Sequence, residues 1–400
     1  MSESVIERME RIGAEKRIAD FMVKEQMPYS FKKKYAAIRA REFVTECDRR
    51  GLNYHVSVGG LDSIVLFLFL SSIGIRAPGI SVSQLEDISI QRVHKSLGIE
   101  RLKPAVRYVD ADGIAHHWKK PEILQEFGFP VLSKEIAAKI ELLQHPSEKN
   151  KTVRHAIITG ETGQYGGYRT NSRMKLSQKW LEKFGGYENE SEGVHYSIPD
   201  FKVSSKCCYY LKEKPCDDWA KEHNSVPFLG LMASEGGRRA KSLRLNGCNF
   251  FGASTIRSCP FAIFGRNDIL QLTLEMNAWY HRHWDLGYFN TGIHLDTIVP
   301  DIYGDILINE DGSLYTTKAQ RTGCSMCGFG VHLEKRPHRF DQLYERNPKE
   351  WDFWMNRCCT DENGNQYGWG KVLDYIGVEW LPEHSDQITF KDYIAGVEKE

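Results

Sequence analysis

VSVGGLDSIVLFL, residues 56–68, sets a glycine pair, an acid and a serine between two apolar runs. The first run closes a short buried strand, NYHVSV, and the second reads as a helix from Asp62 to Ile73, stopped by Gly74. A turn between a parallel strand and a helix aims backbone N–H groups and the positive helix end at the carboxyl edge of the sheet. Glycines at 59 and 60 allow an anion to approach that backbone closely. The stretch has neither the longer spacing and lysine of a Walker A loop nor the three spaced glycines of a Rossmann fingerprint. A plain strand-to-helix turn without a ligand is the alternative.

Outward from this turn, residues 3 to 50 show apolar positions at helical spacing with Lys and Arg between them. On the other side PGISVS is a second strand, EDISIQRVHKSLG a helix, AVRYVD a third strand, and KPEILQEFG and SKEIAAKIELLQ further helices. Strands alternating with helices predict an α/β fold, a doubly wound and mainly parallel sheet with right-handed crossovers. From residue 151 the pattern loosens, and TGETGQYGGYRTN reads as a glycine-rich loop. Further on, a helix restarts around KCCYYLKEKP, SVPFLGLMAS is a strand, NDILQLTLEMNAWYHRHW a helix, and GDILINEDGSLYTT a hairpin turning at Asp311–Gly312. The expected segments are helices over 1–50, a nucleotide-binding core over 51–195, its cysteine-rich α+β continuation over 196–345 and a C-terminal tail over 346–400.

The chain of 400 residues is long enough for a large core, and its 53 basic and 53 acidic residues balance. Nothing in that balance favours a nucleic acid or a membrane surface as a bulk partner. The apolar run from Ser63 is too short for a bilayer span. The start, MSESVIERMERIGAEKR, reads as a charged helix rather than a secretory signal, so the expected location is the cytoplasm, with no membrane partner. In a reducing compartment ten cysteines do not form a disulfide framework, and clustered ones hold metal or do chemistry. Seven of the ten lie between Cys207 and Cys327. The adjacent pair Cys207–Cys208 and the C-x-x-C pair Cys324 and Cys327 supply four thiolates, which by ligand type suit zinc or an iron–sulfur cluster.

Aligned on S-G-G-x-D-S, the stretch Val58–Gly59–Gly60–Leu61–Asp62–Ser63 resembles the PP-loop of ATP pyrophosphatases. Val58 replaces the first serine, although Ser57 lies beside it, and Leu61 stands where relatives often carry lysine. A PP-loop followed by C-C, then SEGGRRAKSL, then C-x-x-C resembles the phosphoadenosine phosphosulfate (PAPS) reductase family. SVSQLEDISIQRVHKSLGI, KCCYYLKEKP, LMASEGGRR and TGCSMCGFGVHLEKRPHRFDQL are similar to its phage and Firmicute branch.

That resemblance implies an adenine nucleotide alpha-hydrolase-like core and a [4Fe–4S] cluster on Cys207, Cys208, Cys324 and Cys327. The reductases of the family carry a catalytic cysteine in an E-C-G-x-H-type tail, and this sequence has no cysteine after Cys359. The expectation therefore shifts toward relatives that use ATP, the tRNA thiolases and DNA phosphorothioation proteins. Adenylation or sulfur transfer driven by ATP is the first expectation. A reductase of PAPS or APS that employs Cys358 or Cys359, and a non-catalytic nucleotide or redox sensor, are the alternatives. The sulfur acceptor is left open among tRNA, DNA and a small molecule, and so is assembly as a homo-oligomer.

The expected catalytic residues are Asp62 and Ser63, and the expected nucleotide-binding set is Ser57, Gly59, Gly60, Asp62, Ser63, Glu86, Asp87, Arg238 and Arg239. Arg238 and Arg239 suit a phosphate or sulfate clamp, or else a solvated basic turn. Glu86 and Asp87 follow the second strand, where Mg²⁺ on nucleotide phosphates would sit; as acids at a helix start they equally serve the helix. His332, Lys335, Arg336 and His338 crowd the C-x-x-C loop, and Lys134 is a further nucleotide candidate. The aromatic stretch NAWYHRHWDLGYF reads as helix packing before base stacking.

Overall fold

Asn53–Ser57, the strand that leads into the glycine turn, lies between two parallel neighbours. The computed structural model describes residues 5–161, 172–186, 188–189, 194–195, 197–324 and 326–382, with the side chains of 5–11, 188–189, 194–195 and 238 excepted. Most of the expected glycine-rich loop of 159–171 lies outside the described residues. The chain forms two compact units, each discontinuous: Met1–Ala105 with Lys212–Ser325, and Val106–Leu211 with Met326–Glu400. The chain thus crosses between units at 105, 211 and 325, rather than near residue 195.

The first unit opens with helices α1 (Val5–Glu25) and α2 (Tyr29–Arg50), matching the helical spacing of the N-terminal residues. Next come β1 (Asn53–Ser57), α3 (Leu61–Ser72), β2 (Gly79–Ser81), α4 (Ile88–Ser96) and β3 (Glu100–Arg101). Its second segment adds α5 (Lys214–Glu222), β4 (Ser225–Phe228), α6 (Gly237–Asn246), β5 (Asn249–Phe251), β6 (Ile256–Ser258) and α7 (Arg266–Asp285). The strands form one sheet in the order β5-β6-β4-β1-β2-β3, parallel throughout except for the β5–β6 pair.

The register pairs Val56 with Gly79 on one side of β1 and with Phe228 on the other. From β1 the chain moves outward to β2 and β3, then returns to lay β4 and β6 on the opposite side. Strand order therefore reverses at β1, and the crevice beyond the carboxyl ends of β1 and β4 is where open α/β sheets bind ligands.

Helix α3 is apolar on nearly every face because it is buried: Leu61, Ile64, Val65, Leu66, Leu68, Phe69 and Leu70 are all in the core. Burying each large side chain contributes about 1.5–3 kcal/mol against exposure, which anchors the helix start at the sheet edge. Trp279, Tyr280, Trp284 and Phe289 pack against one another, as expected for a structural aromatic stretch. The hairpin Ile306–Ile308 with Leu314–Thr316 forms where the Asp311–Gly312 turn places it.

AVRYVD is not a strand of the central sheet. Val106–Val109 belongs to the second unit, where it pairs antiparallel with Ala115–His117. Asp110 accepts hydrogen bonds from the backbone of Asp112 and Ile114, so local turn chemistry closes a hairpin before the strand can reach the sheet. The third parallel strand is Glu100–Arg101, two charged residues with no apolar pattern to reveal it.

The second unit builds its own core around Phe129, Phe184, Phe340 and Trp369. It contains the expected helices Lys120–Phe127 and Lys134–Gln144, and a parallel bridge of Val131–Leu132 with Gly328–Phe329. The helical stretch from Lys206 holds Cys207–Cys208 and then widens into a π-helical turn at Tyr209–Glu213 before α5. Among the described residues no helix is long and apolar enough to cross a membrane.

Candidate functional site

A cavity of about 310 Å³ opens at the switch point. Ser57, Gly59, Gly60, Asp62 and Ser63 line it from the end of β1 and the start of α3, and Leu229, Gly230 and Leu231 from the end of β4. The size falls in the range of small-molecule sites. The sheet edge and glycine turn expected from residues 56–63 are thus brought to one concave surface.

Within the turn, the Gly59 N–H donates to Ser63 Oγ at 2.7 Å, and Ser63 Oγ donates to the Gly60 carbonyl at 2.9 Å. Ser63 therefore braces the turn, and its hydroxyl proton is committed to the backbone. Gly60 begins α3 with φ −77°, a value any residue adopts, so its need for glycine is one of room. A Cβ there would lie 2.6 Å from Tyr303 Oη and 2.9 Å from Thr322 Oγ1. Gly230 is similarly constrained, since a Cβ would stand 3.0 Å from the backbone at Asp62 and Ser63. The Leu61 N–H, one of the unpaired donors of the first helical turn, donates to Tyr303 Oη at 3.1 Å.

Charge converges on the same space. Arg239, Arg266 and Arg321 line the cavity against Asp62 and Glu235, three guanidiniums to two carboxylates. Arg239 pairs with Glu235 at 2.7 Å, and Arg266 Nη1 reaches Asp62 Oδ1 at 3.2 Å. Arg266 Nε and Nη2 are buried and have no hydrogen-bond partner. Nε–H and Nη2–H form one edge of the guanidinium, the pair of donors that suits a bidentate oxyanion. Asp62 keeps about a quarter of its surface in contact with solvent. Protein walls the rest, and this burial pushes its carboxyl above the ordinary aspartate range despite the opposing pull of Arg266.

Glu86 lies on the other side of the turn and does not line the cavity. Its side chain is 4% exposed, and Oε1 accepts from Lys212 Nζ. A Cβ on Gly59 would sit 3.6 Å from that carboxylate oxygen. Burial depresses the Lys212 ammonium, but its hydrogen bonds and charge contacts with Cys324 and Glu86 more than reverse this, so the net shift is upward. Beside it His94 bonds through Nε2 to the Gly59 carbonyl at 2.8 Å and through Nδ1 to Ser83 Oγ at 2.9 Å. Burial lowers the His94 pKa, so the imidazole is neutral and Nε2 carries the proton given to Gly59. Asp87 caps α4 by accepting from the Ser89 N–H at 2.9 Å, the helix-start role.

Of the remaining expected residues, Arg239 reaches the cavity, whereas Arg238 starts the same helix with its side chain outside the described residues. His338 and Arg336 are structural: His338 bonds the Glu379 carbonyl, and Arg336 pairs with Asp341 at 2.7 Å. The four thiols named for a cluster fall in different units, Cys324 in the first and Cys207, Cys208 and Cys327 in the second. Among the described residues no group of three or more His, Cys, Asp or Glu side chains gathers as a metal site. Cys358 and Cys359 are both buried. The Cys358 thiol donates to the Trp354 carbonyl at 3.3 Å, and the hydrogen bond that the Cys359 S–H gives to Cys358, together with burial, pushes the Cys359 thiol far up.

Arg266, Arg321, Tyr303, Thr322 and Lys212 carry much of this site and do not stand out in the sequence. For Arg266 there was a signal: CPFAIFGRND repeats the order of apolar run, glycine and helix start seen at 56–63. Arg321 sits three residues before Cys324 in QRTGC, close to a motif that already draws notice. Compared with protein-family models, curated proteins and solved structures, the chain matches none.

Proposed function

We propose that the chain is a PP-loop enzyme of the PAPS reductase type, binding the phosphates of an adenine nucleotide in the cavity at the β1–β4 crevice. One observation carries this reading: the glycine turn and the three arginines Arg239, Arg266 and Arg321 meet on one cavity. A chain of phosphates would lie across the start of α3, where the helix end and the Gly59–Gly60 backbone favour negative charge. Arg239, Arg266 and Arg321 would take its oxygens and stabilise the charge that develops when an α-phosphate is attacked and pyrophosphate leaves. Asp62 would compete with the nucleotide for Arg266, so binding and the Asp62–Arg266 pair are linked. Ser63 would act by holding the turn rather than as a nucleophile.

ATP-dependent adenylation or sulfur transfer is favoured over reduction of PAPS or APS. The reductase alternative needs Cys358 or Cys359 as a nucleophile, and both are buried, with the Cys359 thiol held protonated. A [4Fe–4S] cluster remains part of the proposal on the strength of the two cysteine pairs. Its ligands would be Cys207, Cys208, Cys324 and Cys327, and it would supply electron transfer or a site for sulfur. Mg²⁺ at Glu86 is less favoured than at the cavity, because Lys212 already holds that carboxylate. Release of pyrophosphate from ATP, assayed on anaerobically purified protein with candidate tRNA, DNA and small-molecule acceptors, tests the reading. Binding of ATP without any release in their presence would favour the sensor alternative.

A further inference from the structure

Two hydroxyls already stand where the cavity would receive an anion. Tyr303 Oη accepts the Leu61 N–H at 3.1 Å, and it shares a 2.7 Å hydrogen bond with Thr322 Oγ1. Both oxygens press on Gly60, close enough that no side chain fits between. Tyr303 is 3% exposed, and its ring packs in the core of the first unit. Burial raises its phenol pKa against the opposing hydrogen bonds from Leu61 and Thr322, so the hydroxyl keeps its proton across the physiological range.

A neutral phenol and an anionic oxygen are both acceptors, and the Leu61 N–H has one proton to give. We infer that Tyr303 is a latch on the glycine turn. Its hydroxyl fills the anion's place over Leu61 and yields it when a phosphate oxygen arrives, with Thr322 holding the closed position. The inference rests on the proposed nucleotide site and adds its regulation: occupancy of the Leu61 N–H is a competition within the protein, set by the Tyr303–Thr322 pair. Because Thr322 lies two residues before Cys324, the loop that positions the latch is continuous with the cysteine motif. Tyr303 is a positioning residue, since in the closed arrangement it touches the turn and not the ligand.

The test compares wild type with Tyr303→Phe and Thr322→Val, using inorganic pyrophosphate as the probe in calorimetric titration and thermal unfolding. Phenylalanine keeps the ring in the core and removes only the competing oxygen. The latch predicts that Y303F binds pyrophosphate roughly five-fold more tightly, the worth of one ordinary hydrogen bond. It also predicts a lower Tm for unliganded Y303F, with a larger rise on adding pyrophosphate than wild type shows, because the ligand then satisfies an N–H left without a partner. T322V should move affinity in the same direction by less, and the double variant should not exceed Y303F by the full sum. Equal or weaker binding by folded Y303F overturns the latch. Arg266→Ala separates the two levels. If R266A weakens binding while Y303F does not tighten it, the site stands and the latch falls; if neither wild type nor Y303F binds pyrophosphate or ATP, both fall.

Discussion

Arg266 Nη1 lies 3.2 Å from Asp62 Oδ1 across the mouth of the glycine turn, and the other edge of the same guanidinium has no partner. A residue from the start of α7 and one from the start of α3, separated by 204 positions, thus meet at the end of β1. The pair sets one guanidinium against one carboxylate at the cavity wall.

Asp62→Asn should tighten pyrophosphate binding. The carboxylate competes with the ligand for Arg266, and an amide of the same shape does not carry its charge. A several-fold lower Kd is expected from losing one close like charge near the ligand. Titration of wild type and D62N under identical salt checks it, and an unchanged or higher Kd in D62N would mean that Asp62 does not oppose the anion.

Gly60→Ala should destabilise the fold whether or not nucleotide is present, because its Cβ would meet Tyr303 Oη at 2.6 Å. Overpacking of this kind costs about 1–3 kcal/mol. Adding Tyr303→Phe should return part of that loss, leaving the 2.9 Å approach to Thr322. Urea unfolding of the two single variants and the double variant measures the coupling. A G60A protein as stable as wild type would show that the turn relaxes freely.

Stability should fall in mild acid through His55. Its ring is buried on β1 beside Ser225 Oγ at 2.8 Å, and burial lowers its pKa to about 4. The folded state binds the proton less readily than the unfolded chain, so this contribution is complete above the unfolded value of about 6.5 and is lost as pH falls toward about 4. The loss amounts to at most about 3 kcal/mol. Denaturant unfolding at pH 7.5 and pH 5 reads it, and His55→Gln should flatten that difference. An equal pH dependence in H55Q would assign the loss to other groups.

Lys212→Met should strand the buried Glu86 carboxylate and remove the cation beside Cys324. Glu86 is buried but Lys212 is a third exposed, so the loss is about 1–3 kcal/mol. Alkylation of Cys324 by iodoacetamide, followed by peptide mass spectrometry in apo protein, should slow because the thiolate loses its counter-ion. Glu86→Gln in the K212M background should restore much of the stability without restoring the alkylation rate. Unchanged alkylation in K212M would detach Lys212 from Cys324.

Much of this arrangement is legible locally. The strand, turn and helix over 53–72 follow from apolar spacing and two glycines, because each depends on residues a few positions apart. The hairpin at 306–316 follows from Asp311–Gly312 for the same reason. What escapes local reading is assembled over long separations. Tyr303 and Thr322 meet Gly60 from more than 240 residues away, and nothing in YGD or RTG marks them as partners of a turn. Glu100–Arg101 enters the sheet without apolar residues, while VRYV has the apolar residues but is claimed by the Asp110 turn. Glu86 looked like a metal ligand by position, and only the approach of Lys212 from the other segment of the unit gives it a different partner.

The most direct test of the phosphate cavity is equilibrium binding of ATP to anaerobically purified protein, with Arg266→Ala titrated beside it and thermal unfolding as the control for folding. A phosphate site lined by Arg266 predicts saturable binding by wild type, displaced by pyrophosphate. It also predicts a Kd roughly 10- to 100-fold higher in R266A, the worth of a charge-assisted hydrogen bond. No binding by wild type, or the same affinity in both folded proteins, would contradict it.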